Sequence, residues 1–143
     1  MVVEDEAFLS LAHANGVRTH LYMSAAAAQS GARLSVWGAR AAYLKHGLDG
    51  QEEALRAGVI PGAADWGAEP RERWGSLGTT VEHSAHPTLP GAYPAFYAGV
   101  ERAIRAGGPP PVLVADAVAT LNVIEAAFRS ARERRVVEIA SAG

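Results

Sequence analysis

Cysteine is missing altogether, and lysine occurs once, as Lys45, among thirteen basic residues. The first absence excludes disulfide staples and thiolate metal sites, and it leaves the redox compartment open. Aromatic residues make up only 7% of the 143 positions. No apolar run approaches the ~20 residues that a membrane-spanning helix needs. Residues 1–8 lack the basic and apolar regions of a signal peptide, so a cytoplasmic protein is expected. A formal net charge of -2 gives no basic field for nucleic acid or an anionic membrane. What remains is an ordinary globular balance, 49% hydrophobic and 20% charged. A single domain of this length is expected to bury roughly 68–70% of its unfolded surface, enough for a core.

The first half reads as strands. Residues 8–14 and 17–23 flank Asn15-Gly16, a pair suited to the positive φ values of a type I′ hairpin turn. That turn would set Leu11 opposite His20 and Leu9 opposite Tyr22, leaving neither face of the hairpin purely polar. An antiparallel sheet with one wet side alternates cleanly, so both faces are expected to be covered, one of them by a second copy of the chain. A second strand pair, 33–37 and 41–45, flanks Gly38-Ala39-Arg40. Residues 25–32 are small and polar, without periodicity.

Helices follow. Asp49 and Glu52 have the spacing of a capping box, and Gly58 is placed to end the helix they open. Residues 59–92 read as a long irregular stretch that Trp66 and Trp74 anchor. Pro94 suits the start of a helix whose stripe is Phe96, Tyr97, Val100, Ala103 and Ile104, and Gly107-Gly108 stops it. After Pro109-Pro110-Pro111, a longer helix over about 115–134 carries Val114, Ala117, Val118, Leu121, Ile124, Phe128 and Ala131 on one face. Arginines 129, 132, 134 and 135 suit its negative end. Residues 136–139 form a short strand or a docked extension. Strands first and helices after predict an α+β fold: a two-layer sandwich, largely antiparallel open sheet with helices packed on one face.

Candidate chemistry is sparse. Neither phosphate-cradling glycine loop is present, nor H-E-x-x-H, nor G-x-S-x-G. His83 and His86 could be two metal ligands, against the plainer reading of a solvated loop pair. His13 and His20 share a face of the proposed hairpin and could form half a metal site, or simply margin a covered sheet. Lys45 and His46 end the second strand pair and are the candidate substrate-proximal residues. There the lysine could hold a substrate carboxylate or phosphate, or be an exposed strand-end charge. Trp66 and Trp74 could line a pocket, although anchoring the loop is the commoner use. No catalytic, cofactor-binding or metal residue is assigned.

Four stretches, in order and covering nearly the whole chain, carry a family resemblance. They are Asp5-Glu6-Ala7-Phe8 through Gly16-Val17-Arg18-Thr19-His20-Leu21; Trp37-Gly38 to Gly47-Leu48-Asp49 with Gln51-Glu52; Trp66-Gly67-Ala68-Glu69-Pro70 with Trp74-Gly75; and Tyr93-Pro94-Ala95-Phe96-Tyr97 leading to Pro111-Val112, Ala119-Thr120-Leu121 and Ile124-Glu125-Ala126-Ala127. Together they resemble the C-terminal part of the glucose–fructose oxidoreductase / inositol dehydrogenase (Gfo/Idh/MocA) family. The resemblance implies an N-terminal Rossmann domain that binds NAD or NADP, and a C-terminal α/β domain whose open sheet supports substrate binding and dimer or tetramer contacts. The family's Glu-Lys-Pro motif is absent here, as is its Asp/His pair: none of Asp5, Asp49, Asp65 and Asp116 has histidine four residues on. Leu113 stands where relatives carry a Ser or Thr cap.

The chain is therefore expected to be one C-terminal substrate and dimerisation domain, 1–143, without the Rossmann domain. It would belong to an NAD(P)-dependent oxidoreductase for a sugar- or polyol-like substrate and be inactive by itself. A homo-oligomer through the open sheet face is expected, with a separate Rossmann domain as a further partner. A non-enzymatic homodimerising or small-ligand-binding sheet module is the alternative.

Overall fold

The computed structural model describes residues 4–63 and 66–139. Along the chain run β1 (Glu6–Ala12), β2 (Arg18–Ser24), β3 (Leu34–Trp37), β4 (Ala42–Lys45) and α1 (Gln51–Arg56). A 3-10 turn (Arg71–Arg73), β5 (Gly75–Gly78), β6 (His83–His86), α2 (Tyr93–Ala106) and α3 (Val114–Glu133) follow. The fold is α+β, with every strand pairing antiparallel. Two compact units divide the chain, residues 1–28 with 112–143, and residues 29–111.

In the first unit, Asn15-Gly16 does make a hairpin, but not through a two-residue turn. The Gly16 amide donates to the His13 carbonyl and the His13 amide to the Val17 carbonyl, both at 2.9 Å. With Gly16 at φ +86°, this is the longer loop in which a glycine bulge follows the turn. The extra residue shifts the expected register by one, so Leu11 faces Thr19, Ser10 faces His20 and Leu9 faces Leu21. One slip re-sorts the faces. Ala7, Leu9, Leu11, Thr19, Leu21 and Met23 now share an apolar face. The other face carries Glu6, Phe8, Ser10, Ala12, Arg18, His20, Tyr22 and Ser24. The observed register gathers the aliphatic side chains on one face and leaves Phe8 and Tyr22 among the polar residues of the other.

On the polar face the Tyr22 hydroxyl donates to Glu6 Oε1 at 2.6 Å. That hydrogen bond, more than any other influence, raises the phenol above its usual 10.0. Glu6→Gln is expected to move the Tyr22 ionisation to lower pH, read as tyrosinate absorbance. An unmoved titration would show the pair to be absent in solution.

α3 belongs to the same unit as this hairpin. Val123, Ala126, Ala127 and Ser130 are half-buried and line a cleft with Phe8, Leu9 and Leu11. Of the residues expected on the apolar face, Ala131 lines this cleft, while the large ones (Val114, Val118, Leu121, Ile124, Phe128) are exposed. The helix ends at Arg134 in the left-handed conformation, and Ser130 Oγ donates to the Arg135 carbonyl at 2.7 Å. Val136, Val137 and Ile139 then line the same cleft as an extension, not a strand. At the other end, Leu113 offers no side-chain cap.

The second unit is built on a four-stranded meander, β3-β4-β5-β6. The β3–β4 connection closes with the Gly38 amide on the Ala41 carbonyl at 3.0 Å, as the turn residues predict. β5 and β6 correct the reading of 59–92 as irregular. Gly-Ser-Leu-Gly and His-Ser-Ala-His have weak strand propensity by themselves, and they become strands because β4 offers a free edge to pair with. Gly58 ends α1 at φ +76°, and Gly107 ends α2 at φ +66°.

A buried apolar core was expected, and none is seen. Among the described residues no apolar residue is buried, whereas the polar Lys45 and Gln51 are. The helix stripes and sheet faces meant to make a core instead leave Trp37, Leu121 and Ile104 at 62–79% exposure.

Candidate functional site

Lys45, at the end of β4, is 4% exposed. Its ammonium donates at 2.7 Å to Glu69 Oε1 and at 2.8 Å to the carbonyls of His46 and Arg73. A lysine has three donors, so all are committed within the chain. The Glu69 side chain is 1% exposed, and its Oε2 has no protein partner. The reading of Lys45 as an exposed strand-end charge is thus corrected, and it has no donor left for a substrate anion. His46 beside it is exposed. A solitary lysine among arginines, set in the apolar strand Ala-Tyr-Leu-Lys, was the available signal. Arginine's broad fork does not fit three convergent acceptors as a compact ammonium does.

A second polar node ties three segments together. Gln51 is 2% exposed. Its Oε1 accepts from Trp66 Nε1 at 3.1 Å and from the Tyr93 amide at 2.8 Å, and its Nε2 donates to Asp49 Oδ2 at 2.8 Å. The same Asp49 oxygen accepts the Gly91 amide at 2.6 Å. Asp49 therefore does not close a capping box: α1 has no side-chain cap, and Glu52 pairs with Arg56 instead. Gln51 takes up the first amide of α2, one that no helical carbonyl can satisfy. A side chain on Gly91 would run into Gln51 Nε2 and Asp49 Oδ2, so glycine is needed there for close approach. Trp74 Nε1 donates to the Glu69 carbonyl at 2.9 Å, so both loop tryptophans anchor the segment as expected.

The Lys45 node lies on one face of the four-stranded sheet. Lys45 shares its face with Val36, Tyr43, Leu77 and His86, and the Tyr43 ring crosses Gly75 to meet His86 edge-on at 6.1 Å. The opposite face is open. There Trp37, Ala42, Leu44, Ser76, Gly78 and His83 line a shallow depression of about 530 Å³.

The histidine pairs dissolve in this geometry. His83 and His86 lie three apart on β6, where side chains alternate, so they point to opposite faces of the sheet. His13 lies in the turn with Nε2 at 2.8 Å from Thr19 Oγ1, while His20 packs its ring 5.6 Å from Phe8 on the other face. Among the described residues no three His, Asp or Glu side chains gather as a metal site. No described helix is long and apolar enough to cross a membrane.

The model of the oxidoreductase family's C-terminal alpha/beta domain (Gfo/Idh/MocA) matches residues 1–139. The chain belongs to this family. Over 122 residues it is 34% identical to the Bacillus subtilis (strain 168) scyllo-inositol 2-dehydrogenase (NADP(+)) IolW, a match covering 82% of the chain and 34% of that relative. Identity to the uncharacterised oxidoreductase YdgJ of Escherichia coli (strain K12) is 37% over 128 residues, 86% of the chain and 36% of the relative. The solved structure of yvaA from Bacillus subtilis superposes with a TM-score of 0.80 at 31% identity, covering 94% of the chain and 41% of yvaA. A Bacteroides fragilis protein gives 0.83 at 31% identity, over 96% of the chain and 43% of that protein. The Gfo/Idh/MocA domain thus spans about a third of the length of the curated relatives it matches.

Proposed function

We propose that this chain is the substrate-side and oligomerisation domain of an NAD(P)-dependent oxidoreductase acting on a sugar- or polyol-like substrate. The observation that carries the reading is the unbroken family match over residues 1–139, joined to 34% identity with an enzyme named for NADP(+) and scyllo-inositol. Hydride chemistry belongs to the nicotinamide, and a protein contributes position and electrostatics. In this chain Lys45 works from within: it locks the end of β4 to Glu69 and Arg73 and, through the His46 carbonyl, fixes the backbone of the exposed His46, the candidate substrate-proximal side chain. The cofactor is bound outside the described residues. The open face around Trp37 is the oligomer contact, supported by the exposure of the Trp37 side chain beside the shallow depression.

Titration calorimetry of the chain with NAD and with NADP is expected to show no binding, and micromolar affinity would overturn this division of labour. Sedimentation is expected to give a dimer that Trp37→Glu converts to monomer. A clean wild-type monomer at high micromolar concentration would remove the oligomer assignment. The same open face favours a second reading, a homodimerising or small-ligand module with no chemistry. Chemical-shift changes confined to this face on adding sugars would support it.

A further inference from the structure

The main-chain amide that follows an asparagine can attack the side-chain carbonyl, and glycine shields that amide least because it has no Cβ. Asparagine occurs twice in the chain, as Asn15 before Gly16 and as Asn122 before Val123. Asn15 sits in the turn of the β1–β2 hairpin, where residues 12–18 are all exposed. Its Oδ1 accepts the Val17 amide at 3.1 Å, an Asx-turn bond that folds the side chain back over the following peptide. The same donor polarises the side-chain carbonyl and is aimed at the oxygen on which charge develops under attack. Around Gly16 there is open space: a Cβ built there meets nothing within 4 Å. Two comparable positions lack this combination. Asn122 lies in the middle of α3, where the next amide is held in the helical ladder and belongs to a β-branched residue. Asp49 also precedes a glycine, but a carboxylate is a poor electrophile, and Gln51 Nε2 at 2.8 Å and the Gly91 amide at 2.6 Å hold it.

We propose that Asn15 is a spontaneous deamidation site whose isoaspartyl product unlocks the β1–β2 hairpin. The Gly16 nitrogen loses its proton to solvent base and attacks Asn15 Cγ. The Cγ–Nδ2 bond breaks, the departing nitrogen takes up a proton and leaves as ammonia, and a succinimide closes. Water then opens the ring at either carbonyl, giving aspartate or, with the main chain rerouted through Cγ, isoaspartate. Water is the only co-reactant. The Gly16 amide must first leave the His13 carbonyl, which it meets at 2.9 Å. Only the turn has to open for that, and an exposed loop opens at far lower free energy than the whole fold. The aspartyl product keeps an acceptor for the Val17 amide. The isoaspartyl product adds a methylene to the main chain inside a turn closed by the Gly16–His13 and His13–Val17 bonds, so both are lost. With them goes the turn geometry that fixes the register of the hairpin. Each product carries one more negative charge than the parent.

The test incubates the 143-residue chain for days at neutral and mildly alkaline pH, followed by isoelectric focusing, peptide mapping and isoaspartyl methyltransferase labelling. An acidic form is expected to accumulate, faster at the higher pH, with the label on the peptide that contains Asn15. Conversion there should outpace that at Asn122 and at Asp49 more than tenfold. Asn15→Gln, whose longer side chain closes its ring less readily, should slow the acidic shift more than tenfold. In the purified isoaspartyl form the His13 and Gly16 amides should exchange with solvent more than tenfold faster than in the parent. Asn15→Asp carries the same added charge without the extra methylene, so its exchange should stay within threefold. A chain that keeps Asn15 intact, or converts Asn122 as fast, would overturn the site. Parent-like exchange in the isoaspartyl form, or equal loss of protection in Asn15→Asp, would overturn the unlocking.

Discussion

Lys45→Met is expected to destabilise the chain by about 3–5 kcal/mol, the usual cost of removing one member of a buried ion pair. The variant strands the Glu69 carboxylate, whose Oε2 already has no protein partner, and frees the carbonyls of His46 and Arg73. A neutral pair of similar volume removes the stranded charge. Lys45→Met with Glu69→Leu should therefore recover most of the loss, as buried pairs replaced whole often do. Urea unfolding followed by tryptophan fluorescence reads the difference, because Trp74 hydrogen-bonds the Glu69 carbonyl. A single variant within about 1 kcal/mol of wild type would show that the pair is solvated, since exposed pairs contribute no more than that. Arg73 to Glu53, half exposed, is such a pair. Glu53 raises the Arg73 guanidinium further above its ordinary range, by hydrogen bond first and charge second.

Gln51→Ala is expected to cost about 3 kcal/mol. It orphans the Tyr93 amide and the Trp66 indole N–H, and each unsatisfied buried donor costs roughly 1–3 kcal/mol. The effect should be local as well as global. Amide exchange should accelerate at Gly91 and Tyr93, which the Asp49–Gln51 node holds, more than in β1 and β2. Gln51→Glu keeps an acceptor for both donors but sets a carboxylate against Asp49, so it should recover only part of the loss. Uniform acceleration across both units would mean that the node is not the local clamp described.

Part of this architecture is legible in local chemistry. The strand pair 33–45, the helix ends at Gly58 and Gly107, and the long last helix follow from turn residues, proline placement and apolar spacing, all decided by near neighbours. The hairpin was legible as a hairpin but not in register. Asn-Gly serves either a two-residue turn or the second half of a bulged one, and the choice moves every cross-strand partner by one. β5 and β6 were not legible, since their residues become strands only by pairing with a strand already formed. The candidate site was the least legible part. Lys45 stood out as the sole lysine, yet its role is set by Glu69, 24 residues away, and the Asp49 bond to Gly91 spans 42.

By itself, then, the sequence determined the α+β class, the first four strands and the helices, the family resemblance and the lack of a cysteine or phosphate-loop chemistry. Tertiary structure alone decided which side of α3 packs, that Lys45 and Gln51 are buried, and that the histidine pairs point apart. The physical reason is range. Turns, caps and periodicity depend on a few adjacent residues, whereas burial and facing depend on groups that only folding brings within hydrogen-bond distance.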